Sequence, residues 1–410
     1  MFALDPATLS GRLSVPPRAR PHPGSRGSSA PVSVPVYEQS LWTARQRQAS
    51  AIHEVSYRAC FKPQLPRYFI ERLTEPGDLV YDPFSGRGTT AIEAALSGRR
   101  VAANDINPLS RIFTLPRLEI PALAAVEERL RQIPTGRRRR ADIDLTMFYH
   151  PDTERELLAL RDYLARHEAN GTDDAADRWI RMVATNRLTG HSPGFFSVYT
   201  LPPNQATTPE NQIRINQKLK QKPEYRDTKA LILRKSQQLT ARLTAEEMDR
   251  LRTAGKTAVL LQSSAAKTRG LRAGSVQLTV TSPPFLDVVH YARDNWLRCW
   301  FNAIDAETIG AQITMSRTVE EWAATMRDVF GELHRVTRPG GWVAFEVGEV
   351  RRGKVRLEEV VAPIATDAGF DCEAVLINAQ KFTKTANIWG VRNNAKGTNT
   401  NRIVLLQKRG

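Results

Sequence analysis

The chain has 410 residues, enough to bury one large core together with an inserted or second small domain. Its 59 lysines and arginines outnumber its 43 aspartates and glutamates, which gives a formal net charge of +16 and an isoelectric point of about 10.1. A cationic excess of this size favours a polyanionic partner, of which nucleic acid is the simplest. No apolar run approaches the roughly 20 residues that a membrane-spanning helix needs, so we expect no membrane span.

The cysteine and histidine usage predicts neither a disulfide framework nor a metal site. Cys60, Cys299 and Cys372 are odd in number and far apart, which fits a reducing cytoplasm. There is no Cys-x-x-Cys pair, and the seven histidines do not cluster at ligand spacing. Residues 10–36 are rich in Pro, Ser, Gly and Arg and contain no acidic residue. We therefore expect residues 1–40 to form a disordered arm.

Residues 41–59 have a polar pattern that predicts a helix, and alternating helices and strands follow between residues 66 and 105. The pattern predicts a helix over 66–74, a buried strand over 78–82, a Gly-rich turn at 85–88 and a helix over 90–97 that Gly98 closes. A second strand over 100–104 ends at Asp105. This succession predicts an α/β fold that begins as a Rossmann-like, doubly wound sheet.

Residues 111–270 have a different character. Residues 201–225 are polar with four prolines, and the window 210–240 holds eight Lys/Arg against three Asp/Glu. We interpret 111–270 as a mostly helical insertion with a basic face, and 41–110 plus 271–410 as one main domain. Sheet-like sequence returns with a strand over 275–281. The pattern then predicts helices at 291–303, 319–337 and 357–369, and strands at 342–347, 372–380 and 403–407.

The turn after the first strand reads Asp82-Pro-Phe-Ser-Gly-Arg-Gly-Thr-Thr90. Gly86 and Gly88 allow close backbone approach, and the next helix offers unpaired N–H groups. The third glycine of a dinucleotide loop is missing, and no Gly-Lys-[Ser/Thr] of a P-loop follows. A carboxylate at Asp82 suits a cationic ligand such as S-adenosylmethionine, and Asp105 is placed to accept hydrogen bonds from its ribose. An ordinary Gly-containing turn is the alternative.

The strand over 275–281 runs into Thr281-Ser-Pro-Pro-Phe285. Two prolines fix the backbone and leave carbonyl groups as acceptors, which suits a target that is itself a donor, an –NH2 group. Hydrogen bonds from the amine to the Ser282 hydroxyl and the Pro283 carbonyl would aim its lone pair at the methyl group, with Phe285 stacked on the ring. The alternative is a simple Pro-Pro turn with Phe285 in the core.

Together the two motifs resemble the amino-methylating DNA methyltransferases, which modify N4 of cytosine or N6 of adenine. The resemblance covers about residues 50–110 and 275–410, and Tyr57-Arg-Ala-Cys-Phe-Lys-Pro63 is similar to the family's N-terminal cofactor segment. It implies a Rossmann-like methyltransferase sheet with an inserted target-recognition region, S-adenosylmethionine as cofactor and double-stranded DNA with a flipped base as substrate. The cofactor-binding residues that it implies are Phe61, Pro63, Asp82, Pro83, Phe84, Ser85, Gly86, Gly88, Thr89, Thr90, Asp105, Ile106 and Thr281. The catalytic residues that it implies are Ser282, Pro283, Pro284 and Phe285.

The resemblance leaves the target base and the partner open. Ser282 favours N4 of cytosine, with N6 of adenine as the second hypothesis; carbon-5 methylation is disfavoured because no Pro-Cys pair occurs. An RNA or protein methyltransferase and a catalytically silent DNA-binding protein are further alternatives. We expect direct in-line transfer without a metal or covalent intermediate. A restriction, regulatory or phage-defence role fits equally, in a bacterial, archaeal or phage-encoded protein of the nucleoid, with a monomer as default.

Basic residues of the insertion are candidate phosphate contacts, with a solvated helix face as the alternative. They are Arg214, Lys218, Lys220, Lys222, Arg234 and Lys235. After the second motif, His290, Tyr291, Asp294 and Trp296 are candidates for the base pocket, with helix packing as the alternative for each.

Overall fold

The computed structural model describes residues 9–16, 31–39, 49–58, 60–136, 140–201, 206–284, 291–313, 316, 318–350, 355–379 and 400–409. The main sheet has nine strands in these ranges. They are β1 (Leu9–Val15), β2 (Val32–Gln39), β3 (Leu79–Asp82), β4 (Arg100–Asn104), β5 (Val259–Leu261), β6 (Val276–Thr281), β7 (Thr337–Val347), β10 (Phe370–Ala379) and β11 (Thr400–Lys408). A separate small hairpin pairs β8 (Glu349–Val350) with β9 (Val355–Arg356).

The strand order is β1-β2-β10-β11-β7-β6-β3-β4-β5. β5, β4, β3, β6 and β7 are parallel to one another, and β11 is antiparallel to both β7 and β10. The chain leaves β3 for β4 on one side and returns to β6 on the other. β3 and β6 therefore flank a switch point, where open α/β sheets bind their ligands. The predicted Rossmann-like α/β fold is confirmed.

Helices cover both faces of this sheet. They are α1 (Gln64–Leu73), α2 (Thr89–Leu96), α3 (Leu109–Leu118), α4 (Leu123–Gln132), α5 (Pro151–Ala169), α6 (Ala175–Arg187), α7 (Pro209–Leu219), α8 (Thr228–Thr240), α9 (Ala245–Thr257), α10 (Tyr291–Phe301), α11 (Ala306–Gln312), α12 (Val319–Val336) and α13 (Leu357–Asp367). A short 3-10 helix lies at Ala51–His53. None of the helices in the described ranges has the length and apolar character needed to cross a membrane.

Two core clusters form because side chains alternate across the strands. On one face Val80 and Leu278 pack with α1, α2 and α3, and with helices of the insertion. On the other face Tyr81 and Phe345 pack with α12 and α13. The strands beside the switch point are buried on both faces, as in other parallel sheets, which is why their sequences read as continuous apolar runs.

The N-terminal segment does not match the expected disordered arm. β1 and β2 pair in antiparallel register, and β2 extends the sheet by pairing in parallel with β10. Val15 and Val34 are buried in the same cluster as α13. The prediction of disorder over 1–40 is therefore wrong for the two strands, because a short apolar alternation was outweighed by the Pro- and Gly-rich residues between them. Residues 17–30 lie outside the described ranges.

The insertion is helical, but its boundary differs from the prediction. α9 packs on α2 and α3, and β5 continues the main sheet beside β4. The sheet therefore resumes at Val259 and not at 271. The helices α4 to α8 join the main domain where α6 packs on α3, and Trp179 is buried among them with its indole donating to Ser236 at 2.9 Å.

Candidate active site

The two motifs meet at the carboxyl ends of neighbouring strands. Asp82 ends β3 and Thr281 ends β6, and these strands pair directly. The Thr281 hydroxyl donates to the Asp82 carboxylate at 2.6 Å, and the Thr90 hydroxyl donates to the Val280 carbonyl at 3.1 Å. Both bonds are buried, so they fix the first motif against the second.

The Gly-rich loop adopts a conformation that requires its glycines. Gly86 and Gly88 have φ of +51° and +77°, in the left-handed region. A side chain at Gly88 would collide with Thr114, so α3 allows only glycine there. Gly88 caps the N-terminus of α2, and Thr89 and Thr90 open that helix. The loop thus presents the first turn of α2 to the switch point.

Asp105 closes the other side of the loop. Its carboxylate accepts from the Gly86 amide at 2.7 Å and from the Asn107 amide at 2.9 Å. The Asn107 side chain donates to the Tyr57 hydroxyl at 2.7 Å, so the segment before α1 lies over this turn. In that segment Phe61 packs half-buried on the core and Pro63 precedes α1.

The remaining residues of the predicted cofactor loop lie around the same turn. Pro83 accepts from Asn104 through its carbonyl at 3.1 Å, Phe84 packs half-buried on the opposite core and donates its amide to Asp82 at 3.1 Å, and Ile106 follows Asp105. The Ser85 hydroxyl is buried and has no hydrogen-bond partner within the described part of the chain. The Ser85 oxygen is therefore available to form a hydrogen bond with a ligand.

Burial makes both acids of the loop weak. It raises the pKa of Asp82 to about 7, although hydrogen bonds from the Thr281 hydroxyl and the Phe84 amide oppose the shift. Burial also raises the pKa of Asp105 to about 6, against bonds from three backbone amides. Two carboxylates held this way favour a cationic ligand, because a positive charge relieves the cost of keeping them ionised.

The Ser282-Pro-Pro turn carries two contacts that the sequence did not reveal. The Ser282 hydroxyl is hydrogen-bonded to the Glu346 carboxylate near the end of β7, and the Asn401 side chain donates to the same group. Burial raises the pKa of Glu346, and these two bonds oppose the rise. The Trp322 indole donates to the Pro284 carbonyl at 3.0 Å. Phe285 lies outside the described residues.

These contacts left weak signals in the sequence. Glu346 is an acid inside the apolar run that forms β7, where a charged residue needs a partner. Asn401 and Trp322 stand at ordinary positions in a strand and a helix, and Asn107 stands in a turn. Periodicity cannot predict which backbone or carboxylate group such side chains reach.

The candidates for the base pocket have other partners. Asp294 forms an ion pair with Arg58 at 2.5 Å, and the Trp296 indole donates to the Thr207 carbonyl at 3.1 Å. They join α10 to the cofactor segment and to the insertion, so packing accounts for both. His290 and the side chain of Tyr291 lie outside the described residues.

The basic candidates of the insertion divide into two groups. Arg214, Lys218, Lys220, Lys222 and Arg234 are exposed. Lys235 is only 6% exposed and forms an ion pair with Glu54 at 3.0 Å. Lys235 therefore holds the segment before α1 against α8, and its prediction as a phosphate contact does not fit the structure. Within the described residues no three His, Cys, Asp or Glu side chains are grouped as metal ligands.

Similarity to known proteins agrees with this geometry. The model of a DNA methylase family that modifies N6 or N4 amino groups matches residues 32–110. Type II methyltransferase M.MjaII of Methanocaldococcus jannaschii is 33% identical over 75 residues, which are 18% of this chain. Residues 32–110 of the chain are therefore similar to the DNA methylases that modify N6 or N4 amino groups. The match spans only 14% of the length of M.MjaII.

Two solved structures are more distant. The DNA modification methylase TTHA0409 of Thermus thermophilus is 23% identical with a TM-score of 0.20, over 34% of this chain and 47% of that chain. The rRNA methyltransferase aviRa of Streptomyces viridochromogenes is 12% identical with a TM-score of 0.35, over 88% of this chain and 91% of that chain. The Rossmann-like fold of this chain follows from its own strand order.

Proposed function

We propose that the protein transfers the methyl group of S-adenosylmethionine to the exocyclic N4 of cytosine in double-stranded DNA. The observation that carries the proposal is the hydrogen bond between Thr281 and Asp82. It joins the loop that suits a cationic cofactor to the turn that suits an amine. Because positioning two reactants supplies most of the rate in such a transfer, a rigid link between their two sites has a direct chemical use.

The residues of the loop fit the cofactor by charge and by hydrogen bonding. Asp82 is buried and Asp105 is half-buried, a cation would favour the ionised form of each, and within the described residues the Ser85 hydroxyl has no hydrogen-bond partner. S-adenosylmethionine would supply the electrophilic methyl group there. We assign Asp82 to the charged end of the cofactor and Asp105 to its ribose, with Phe61, Pro63 and Ile106 as the apolar wall.

The Ser282 turn acts on the amine. When the hydroxyl proton of Ser282 points at Glu346, the lone pairs of its oxygen remain to accept from the target –NH2 group. The Pro283 carbonyl would accept the second amine proton. The Pro284 carbonyl is engaged by Trp322, which holds the turn in place. With both N–H bonds engaged, the nitrogen lone pair is directed out of the ring plane towards the methyl group.

Nucleoside mass spectrometry on duplex DNA of varied sequence, incubated with the protein and S-adenosylmethionine, tests the proposal. We expect N4-methyldeoxycytidine from the unsubstituted chain and a loss of about 100-fold in Ser282→Ala, the scale on which one preorganised hydrogen bond acts on a transition state. Ser275→Ala, at the other end of β6, is the matched control and should retain activity.

Three outcomes separate the hypotheses. N6-methyldeoxyadenosine in place of the cytosine product would move the target to adenine while keeping the mechanism. Equal turnover by Ser282→Ala would contradict the role of the hydroxyl. A protein that binds the cofactor but methylates no duplex would contradict the proposed substrate.

A further inference from the structure

Exposed apolar side chains concentrate on one part of the insertion. In the described ranges six large apolar side chains are exposed, and three of them, Ile213, Leu219 and Tyr225, lie on or just after α7 at 42%, 50% and 50% exposure. Exposed apolar residues grouped in this way indicate an interaction surface.

One face of α7 is anchored and the opposite face is open. Gln212 is buried and its side chain donates to the Tyr199 carbonyl at 3.0 Å, and Asn216 donates to the Met147 carbonyl at 2.8 Å. With 3.6 residues per turn, Arg214, Gln217 and Lys218 lie on the side away from these anchors. All three are exposed. We call this side the outward face of α7.

The outward face and the residues that follow it are cationic. Arg214, Lys218, Lys220 and Lys222 form no ion pair with any described residue. The acid on this face is Glu210, whose pKa is lowered by backbone hydrogen bonding, by Thr208 and by the charge of Arg214. Between residues 210 and 225 four exposed cations stand against two exposed acids, Glu210 and Glu224, and with the exposed apolar groups they complement a polyanion that also offers apolar surface.

The start of α7 is tied to the catalytic part of the chain. The Ala206 amide donates to the Asp294 carbonyl at 3.3 Å, and the Trp296 indole donates to the carbonyl of Thr207. Asp294 and Trp296 belong to α10, which begins at Tyr291, seven residues after Pro284. Thr208 then caps α7. The helix therefore starts beside the element that follows the Ser282-Pro-Pro turn.

We infer that the outward face of α7 reads base edges in double-stranded DNA, with Arg214 and Gln217 as base contacts and Lys218, Lys220 and Lys222 as phosphate contacts. This inference rests on the proposed function and gives its substrate a recognition surface. The major groove of B-DNA admits an α-helix. Arginine pairs with guanine O6 and N7, glutamine pairs with adenine N6 and N7, and an apolar side chain such as Ile213 contacts a thymine methyl group.

The test is a duplex library with random flanks, from which bound and methylated molecules are sequenced separately. We expect Arg214→Ala and Gln217→Ala each to reduce the preference for the selected sequence over its single-base variants by about 5- to 100-fold at one position. Lys222→Ala should weaken binding to all sequences alike and lower the slope of log K against log salt by about 1. Arg131→Ala and Gln132→Ala, at the exposed end of α4, are the matched controls and should leave the preference unchanged.

The two readouts keep this inference separate from the proposed function. If no duplex is methylated but Arg214→Ala still changes the bound sequences, the proposed function is contradicted, whereas the inference that the outward face of α7 contacts bases is supported. If Arg214→Ala and Gln217→Ala keep both sequence profiles while folding and cofactor binding are intact, the inference is overturned. It is also overturned if the chain selects no duplex, as it would if its partner were RNA or protein.

Discussion

At the scale of single residues, the proposed mechanism depends on the hydrogen bond between Glu346 and the Ser282 hydroxyl. In this mechanism the Glu346 carboxylate accepts a hydrogen bond from that hydroxyl, so the oxygen lone pairs remain to accept from a substrate amine. Glu346→Gln places an amide there whose N–H can donate to the Ser282 oxygen. The Ser282 hydroxyl proton would then point away from residue 346, towards the substrate amine. We expect a loss of turnover of about tenfold or more with cofactor affinity nearly unchanged. Glu359→Gln, at an exposed glutamate on α13, is the control and should keep full activity.

The ionisation of Glu346 should make the rate of methyl transfer increase with pH. Burial raises the pKa of Glu346, so the carboxylate becomes protonated at a higher pH than an ordinary glutamate. The ionised form can only accept a hydrogen bond from Ser282, whereas the protonated form can also donate to the Ser282 oxygen and compete with the substrate amine. The single-turnover rate should therefore rise with pH as Glu346 ionises around its raised pKa. In Glu346→Gln this rise should be absent. An identical pH profile in the two proteins would show that the rate does not depend on Glu346.

Trp322 is a positioning residue for the turn, since it binds the Pro284 carbonyl and faces no reacting atom in the mechanism above. Trp322→Phe keeps an aromatic ring in the buried site but removes the donor. A neutral hydrogen bond contributes about 1 kcal/mol, so we expect turnover to fall about fivefold while the cofactor Kd changes less than twofold. Trp179→Phe removes a similar buried indole bond far along the insertion, to Ser236. It should lower stability without lowering turnover in the folded protein; equal turnover losses in both variants would contradict a specific role for Trp322.

At the scale of elements, the N-terminal hairpin is part of the sheet. Val34 faces the core under α13, whereas Val32 on the same strand is 52% exposed. Val34→Asp would bury an unpaired carboxylate and should lower the free energy of unfolding by about 3 kcal/mol or more. Val32→Asp makes the same chemical change in water and should cost less than about 0.5 kcal/mol. Urea unfolding compares the two, and equal midpoints would mean that β2 does not pack as described.

Elements were predictable where local pattern and tertiary environment agree. The strands at the switch point are buried on both faces, so their apolar runs predicted them, and the glycine and proline motifs predicted the turns that follow. β1 and β2 were missed because each has only a few inward residues, such as Val15 and Val34, beside a stretch whose composition favours disorder. Lys235 is buried and forms an ion pair with Glu54, and Glu346 is bonded to Asn401. Both partners are distant in sequence, so a local sequence pattern cannot predict them.

At the scale of the whole molecule, charge is divided between two functions. The chain carries a net +16, and its exposed cations include the outward face of α7. The crevice that open α/β sheets form at a switch point instead carries Asp82, which is buried, and Asp105, which is half-buried. A protein that is cationic outside and acidic in this crevice can attract a polyanion to its surface while binding a cation within.

This division predicts that cofactor binding releases protons. With pKa values raised to about 7 and about 6, Asp82 and Asp105 are partly protonated near pH 6.5 in the free protein. The folded state then binds protons more tightly than the unfolded state, so these two groups reduce stability as pH rises from about 4 to 7. A cationic cofactor favours their ionised forms, so its affinity should increase over the same upper range.

Calorimetry of S-adenosylmethionine binding at pH 6.5, in buffers of different ionisation enthalpy, measures the released protons directly. We expect a release of several tenths of a proton up to about one at pH 6.5, falling towards zero at pH 8.5, where both acids are already ionised. Asp105→Asn should reduce the release at pH 6.5, because only Asp82 then titrates. Tight binding at pH 6.5 without proton release would mean that the cofactor leaves these acids in their protonated state, and that its positive charge is held elsewhere.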